Sequence, residues 1–264
     1  MSDPTSPPLS LKPSLGLFGF GAFGQLAAVM LRDLFSVTVH DPSRAAQELA
    51  LAQGLTVADS ASAASCDVVV MAVPVSVLER TLRSVALHLR PGALVVDVAS
   101  IKEEPVRLMD ELLPSNVRIV ATHPMFGPQS AAERSDRLTV VVCPVRDQAW
   151  RRVVAFLRHH GLRVIVASPE EHDRQAALTQ GHTHLLANAI SAFDHSVPIR
   201  THGFDLLMSA FAMVRDDSPE IYEAVTRMNR HVAGVRDGLI RRLAEEPSLE
   251  FGQRVVAGRI GRIV

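Results

Sequence analysis

Lysine is nearly missing from this 264-residue chain: Lys12 and Lys102 are the only two among 27 basic residues, the rest being arginine. A mechanism built on a lysine must use one of these two positions. Cysteine is as scarce. Cys66 and Cys143 stand far apart and neither belongs to a CxxC pair, so no disulfide framework is expected and a reducing compartment is the simpler reading. Charge of one sign is not in surplus either, with 27 basic against 28 acidic residues, a net charge of −1 and a pI near 6.8. Polyanion binding needs excess positive charge, so neither nucleic acid nor a membrane surface is an expected partner. No apolar run approaches the ~20 residues of a membrane span. The Pro- and Ser-rich stretch 1–14 lacks the apolar core of a signal peptide and reads as a disordered leader. A soluble, cytoplasmic protein without a metal site is expected.

What is present suffices for a large core: 47% of residues are hydrophobic and 21% charged. From Leu15 to Val166 short β-rich runs alternate with Ala-, Leu- and Arg-rich helical spacing. The runs are Leu15–Phe18, Ser36–His40, Asp67–Ala72, Leu94–Val98, Val117–Ala121, Leu138–Cys143 and Leu162–Val166. Several are continuously apolar (VVVMAV, ALVVDV), as strands covered on both faces are. Such alternation predicts an α/β fold with a parallel, doubly wound Rossmann-type sheet over 15–168. After Ser168-Pro169 the strand signal stops, and helices are predicted over Glu170–Asp194, Gly203–Met213, Pro219–Val235 and Leu239–Leu243. Residues 169–264 are thus predicted to form a smaller, all-helical domain. So small a helical unit often completes its core with a second copy, and a homodimer through it is expected. The alternative is that it packs only on its own α/β domain.

Gly19-Phe20-Gly21-Ala22-Phe23-Gly24 is a GxGxxG motif between a predicted strand and a predicted helix. The first glycine permits a tight turn and the second lets backbone approach a pyrophosphate. The third lets helix and strand pack closely, while the helix N-terminus offers free N–H donors. Asp41 follows Gly19 by 22 residues and ends the next strand, where a carboxylate would hold the ribose hydroxyls of NAD and repel a 2′-phosphate. The competing role for Asp41 is a helix N-cap before Pro42. Arg44 lies within reach of a 2′-phosphate, so NADP stays open. Val73-Pro74 and Asp97–Ser100 end the following strands at the edge where a doubly wound sheet binds its ligand, and both are placed to touch the nicotinamide half.

Three residues carry candidate chemistry: Ser100 in DVASIK, His123 in THPMFGP and His184 in TQGHTH. His123 closes an apolar strand at the expected ligand edge, and Pro124 and Gly127-Pro128 would stiffen its loop. The plainer reading is a turn histidine.

These segments together, with GFGAFG, DVASIKEEP, THPMFGPQS and EEHDRQAALTQGHTH spanning roughly 15–240, resemble the prephenate/arogenate dehydrogenase family of tyrosine biosynthesis. The chain is most similar to the plant-type arogenate dehydrogenases, with Gly203-Phe204 and Asp217-Ser218-Pro219-Glu220-Ile221-Tyr222 in the matching places. The resemblance implies oxidative decarboxylation of a cyclohexadienol, with a hydride leaving ring C4 for the nicotinamide. It implies that His123 is the base, that Ser100 positions substrate and base, and that His184 and Gln129 lie on the substrate side. The prephenate enzymes' arginine after a GFKD-like segment has no counterpart in Gly203-Phe204-Asp205-Leu206. Asp217 matches an acidic residue facing the substrate ammonium, which favours arogenate; prephenate or dual use is the alternative. Asp217 could instead cap a helix, a role Ser218 could fill in its place. Lys102 is placed near the active site by the resemblance, whereas by position alone it reads as a solvated first-turn lysine. A β-hydroxyacid dehydrogenase is disfavoured because no lysine follows Lys102. An imine reductase would leave THPMFGP without a purpose, and a non-catalytic NAD-binding module would need neither Ser100 nor His123 at adjacent crevice edges.

Overall fold

The structure, a computed structural model, describes residues 12–133, 138–193, 196–215 and 217–245. Most of the predicted leader, and the C-terminal residues from 246, lie outside these. Eight strands form one sheet: β1 (Ser14–Phe18), β2 (Ser36–His40), β3 (Thr56–Val57), β4 (Val68–Met71), β5 (Leu94–Asp97), β6 (Arg118–Pro124), β7 (Thr139–Pro144) and β8 (Arg163–Val166). Their order is β3-β2-β1-β4-β5-β6-β7-β8. The order turns outward in both directions from β1 and β4, so a crevice opens at the carboxyl ends of these strands.

All seven predicted strands are present, and β3, too short at two residues to leave a pattern, is added. One expectation needs correction. The sheet is parallel only from β3 to β6: β7 runs antiparallel to β6, with His123 opposite Val141, and β8 runs parallel to β7. Antiparallel neighbours can be joined at one end without a crossover. The connection from β6 to β7 therefore stays at the carboxyl edge, and the loop after His123 remains beside the crevice.

Helices α1 (Ala22–Leu31), α2 (Arg44–Ala52), α3 (Ser60–Ala64), α4 (Val75–Val85), α5 (Glu103–Leu112), α6 (Pro128–Glu133) and α7 (Ala149–His159) flank the sheet. Alternate residues of each strand serve opposite faces, so two cores form. Phe18, Met71, Ile119 and Ala121 pack with Leu78, Leu82, Val85 and Met109, while Leu15, Leu17, Val39 and Val70 pack with Phe20 and Ala28. Burial of a Leu or Met side chain is worth about 1.5–3 kcal/mol. These two layers thus hold the strand ends that carry the site.

Beyond β8 every described element is helical: α8 (Pro169–Ala176), a π-helical turn Ala177–Gly181, α9 (His182–Ser191), α10 (His202–Arg215), α11 (Pro219–Glu223), a second π-helical turn Ala224–Met228 and α12 (Val232–Ala244). Ser168 caps α8 by accepting from the Glu171 N–H, with Pro169 at the first helical position. The predicted helix Pro219–Val235 is broken at Asn229, whose extended backbone (ψ 106°) ends the second π turn. Its side chain explains the break: Nδ2 donates to the Asp173 carbonyl at 2.8 Å and Oδ1 accepts from the His231 N–H at 3.0 Å. Ala224 packs with Val75 and Ile101, joining the helices to the sheet's carboxyl edge. No described helix is long and apolar enough to cross a membrane.

Candidate active site

The glycine loop meets the demands of a dinucleotide one residue at a time. Gly19 has a φ of +93°, and a Cβ there would lie 2.3 Å from the Ala72 carbonyl oxygen. A Cβ on Gly24 would lie 2.2 Å from the Gly19 carbonyl oxygen, so only glycine lets α1 sit this close to β1. Around Gly21 the space is open, with nothing within 4 Å of an added Cβ. Gly21 is also the N-cap of α1, with no side chain capping it. The loop therefore leaves both room and free N–H donors where a pyrophosphate would lie, and these residues fit a nicotinamide dinucleotide. Val73 packs on Gly19, and exposed Pro74 caps α4.

Asp41 is not a helix cap; Ser43 takes that place on α2. The Asp41 carboxylate instead accepts from the Phe20 N–H at 2.7 Å and the Ser43 N–H at 2.8 Å, tying the glycine loop to the end of β2. Arg44 is engaged with Glu48 at 2.9 Å on the surface of α2.

At the neighbouring strand ends, Asp97 on β5 pairs with Ala121 on β6. Ser100 and His123 thus leave the sheet along the same edge. Ser100 is half-buried, and its hydroxyl has no hydrogen-bond partner among the described residues. The Phe23 ring of the glycine loop lies 6.3 Å from the Phe126 ring, which brings the cofactor loop against the loop that follows His123. Gln129 falls in α6, but its side chain lies outside the described residues.

His123 is 3% exposed. Its Nδ1 lies 2.8 Å from His172 Nε2, and His172 Nδ1 lies 2.7 Å from Asp173 Oδ1. Burial first, then the neighbouring His172 ring and the Lys102 ammonium, hold the His123 imidazole well below the usual histidine range. It is neutral at pH 7, as a proton acceptor must be.

The solvated reading of Lys102 is wrong. Its side chain is fully buried, pairs with Asp97 and donates to the Thr122 carbonyl at 2.6 Å. Asp97 in turn accepts from the Thr122 N–H at 3.3 Å, and its backbone carbonyl accepts from the Thr122 hydroxyl at 2.6 Å. Burial pushes the Asp97 carboxyl up, and Lys102 opposes that push. This buried pair clamps the residue immediately before His123 between β5 and β6.

His184 follows the first π-helical turn and is 2% exposed. Its Nδ1 faces the Gln180 carbonyl at 2.8 Å and its Nε2 faces Asp217 Oδ2 at 3.1 Å. Ser218 caps α11, so Asp217 is not a cap; it is paired with His184, with its side chain 32% exposed. The residues that sequence reasoning passed over are His172 and Asp173. They sit inside EEHDRQ on α8, where Ser168-Pro169-Glu170-Glu171 marks a helix start. Nothing local indicates that this pair reaches 49 residues back to His123.

Comparison with known proteins agrees with this geometry. The family model described as "Prephenate dehydrogenase, nucleotide-binding domain" matches residues 27–166. A "Probable arogenate/prephenate dehydrogenase" of Methanocaldococcus jannaschii is 31% identical over 191 residues, covering 68% of this chain and 42% of that protein. "Arogenate dehydrogenase 2, chloroplastic" of Arabidopsis thaliana is 33% identical over 228 residues, covering 81% of this chain and 63% of the relative. The chain therefore spans less than two thirds of the length of these relatives. Among solved structures, prephenate dehydrogenase from A. aeolicus, in complex with hydroxyphenyl propionate and NAD+, matches at a TM-score of 0.73. The identity is 21%, and 96% of this chain and 99% of that one are covered. Synechocystis arogenate dehydrogenase matches at a TM-score of 0.65 and 20% identity, over 87% of this chain and 89% of that one. At such identities the structures establish the fold, whereas the family model covers more than half of the 264 residues: the chain belongs to the prephenate dehydrogenase family.

Proposed function

We propose that this protein oxidatively decarboxylates arogenate to tyrosine, using NAD. The observation that carries this reading is the buried, neutral His123 at the carboxyl edge of β6, in a fold whose glycine loop leaves room for a pyrophosphate at Gly21. His123 Nδ1 is taken by His172, which leaves Nε2 to accept the proton of the C4 hydroxyl. The free Ser100 hydroxyl orients that same group. Bound NAD supplies the acceptor for the hydride that leaves C4. As the C–H bond breaks, the hydroxyl proton passes to His123. The bond to the ring carboxylate then breaks, CO2 departs, and its electron pair completes the aromatic ring. The proton held on His123 returns to the phenol oxygen, so charge and protons balance.

NAD rather than NADP is favoured by the Asp41 carboxylate at the end of β2, and by the engagement of Arg44 with Glu48. The lean to arogenate rests on Asp217. Its Oδ2 is committed to His184, and its partly exposed carboxylate supplies the negative charge an ammonium seeks. No arginine stands in Gly203–Ser209 to pair with a keto acid. Residues 15–168 act as the dinucleotide-binding domain and 169–264 as the substrate domain. Exposed Leu206, Ile240 and Leu243 on α10 and α12 support a homodimer through that helical part.

The test is a comparison of turnover rates for both substrates with both cofactors, in the wild type and in Asp217→Asn. Arogenate with NAD is expected to be fastest, and the substitution to shift preference toward prephenate. Equal rates with NADP would remove the role given to Asp41, and an unchanged substrate ratio in the variant that given to Asp217.

A further inference from the structure

We propose that His172 and Asp173 are positioning residues that fix the tautomer of His123, so that its Nε2 is the bare, proton-accepting nitrogen. The proposal rests on the reading of His123 as the base. It starts from Asp173, whose two carboxylate oxygens already accept backbone N–H groups: Oδ1 from Lys102 at 2.7 Å and Oδ2 from Glu103 at 2.9 Å. These are the unpaired N–H groups at the start of α5, which favour an anion there. An oxygen that accepts from N–H groups also accepts from His172, so His172 Nδ1 carries a hydrogen and donates to Asp173 Oδ1.

A neutral imidazole with a hydrogen on Nδ1 has a lone pair on Nε2. His172 Nε2 therefore accepts, and the atom 2.8 Å from it, His123 Nδ1, must be the donor. With its hydrogen on Nδ1, His123 leaves Nε2 unprotonated. One carboxylate thus dictates which nitrogen of a ring two residues away acts as base, as a buried carboxylate fixes a single imidazole in a hydrolase triad. The relay also spans the molecule: Asp173 and His172 belong to α8, His123 to β6, and Asn229 holds the Asp173 carbonyl from the end of the second π turn.

The test reads the tautomer directly, without substrate. Protein carrying 15N-labelled histidine is examined by long-range 1H–15N NMR, and the His123 signals are identified by their loss in His123→Asn. The wild type is expected to show His123 with its hydrogen on Nδ1. His172→Phe, which keeps a ring but removes the acceptor, is expected to give a mixture of tautomers. It should also lower kcat by roughly 10- to 100-fold with KM nearly unchanged, part of the 10²–10⁴ that a positioned base supplies. His172→Gln, whose side-chain oxygen can accept from Nδ1, should restore most of both. A hydrogen on Nε2 of wild-type His123 would overturn the proposal even if His172→Phe failed to fold. So would a His172→Phe protein with an unaltered tautomer and kcat. Correct tautomers in a protein that turned over neither substrate would leave the relay standing and refute the proposed reaction instead.

Discussion

Two single-methyl substitutions in the glycine loop should have opposite consequences. At Gly24 an added Cβ would lie 2.2 Å from the Gly19 carbonyl oxygen, a backbone atom that cannot move without shifting β1. Gly24→Ala is thus an overpacking change, expected to cost about 1–3 kcal/mol and to lower Tm by several degrees. At Gly21 nothing lies within 4 Å of the added Cβ, and the backbone angles (φ −69°, ψ −169°) suit alanine. Gly21→Ala should therefore fold normally, with a stability change below about 1 kcal/mol from the altered cap. Its methyl, however, fills the space where a pyrophosphate would approach the N-terminus of α1. Losing one charge-assisted hydrogen bond there costs about 1.5–3 kcal/mol, which corresponds to a roughly 10- to 150-fold weaker Kd for NAD. Calorimetric titration with NAD beside thermal unfolding of the same samples separates the two effects. A Gly21→Ala protein with wild-type affinity would refute the placement of the dinucleotide over this loop.

The buried pair of Lys102 and Asp97 makes a second prediction. Lys102→Met leaves Asp97 buried without its partner, a loss of about 3–5 kcal/mol that should lower Tm by on the order of 10 °C. Removing both charges in Asp97→Leu/Lys102→Met should restore part of that loss; a double variant less stable than Lys102→Met would contradict it. The depressed His123 pKa adds a pH dependence. Unfolding releases an imidazole of ordinary pKa, near 6.5, that binds protons the folded one refuses. The stability this lowered value provides is therefore intact above about pH 6.5 and lost as pH falls toward the folded value. Between pH 7 and pH 5 the Tm of the wild type should fall more than that of His123→Gln, by roughly 3–5 °C. Parallel Tm curves would show that His123 is not held neutral by the fold.

Much of the fold was legible because its signals are local. The apolar runs of β4 and β5 and the glycines before α1 need no distant partner to be read. The reversal of β7 was not legible, since a β-rich run such as TVVVC reads the same in a parallel or an antiparallel neighbour. The break at Asn229 escaped because no glycine or proline marks it; the side-chain bonds to Asp173 and His231 make it. The candidate site divides in the same way. His123, Ser100 and Asp41 stand at strand ends and could be found from position. Lys102 reads as solvated because it stands at a helix start, whereas its partners Asp97 and the Thr122 carbonyl meet it only once β5 and β6 pair. His172 and Asp173 matter through contacts across 49 and 71 residues, which no periodicity records.

The base assignment is tested most directly by His123→Asn, assayed for nicotinamide reduction with arogenate after titration has shown that NAD still binds. Turnover is expected to fall by about 10²–10⁴ with the NAD affinity unchanged. Wild-type turnover in that variant would show that another group accepts the proton, and that the imidazole at the end of β6 is only part of the core.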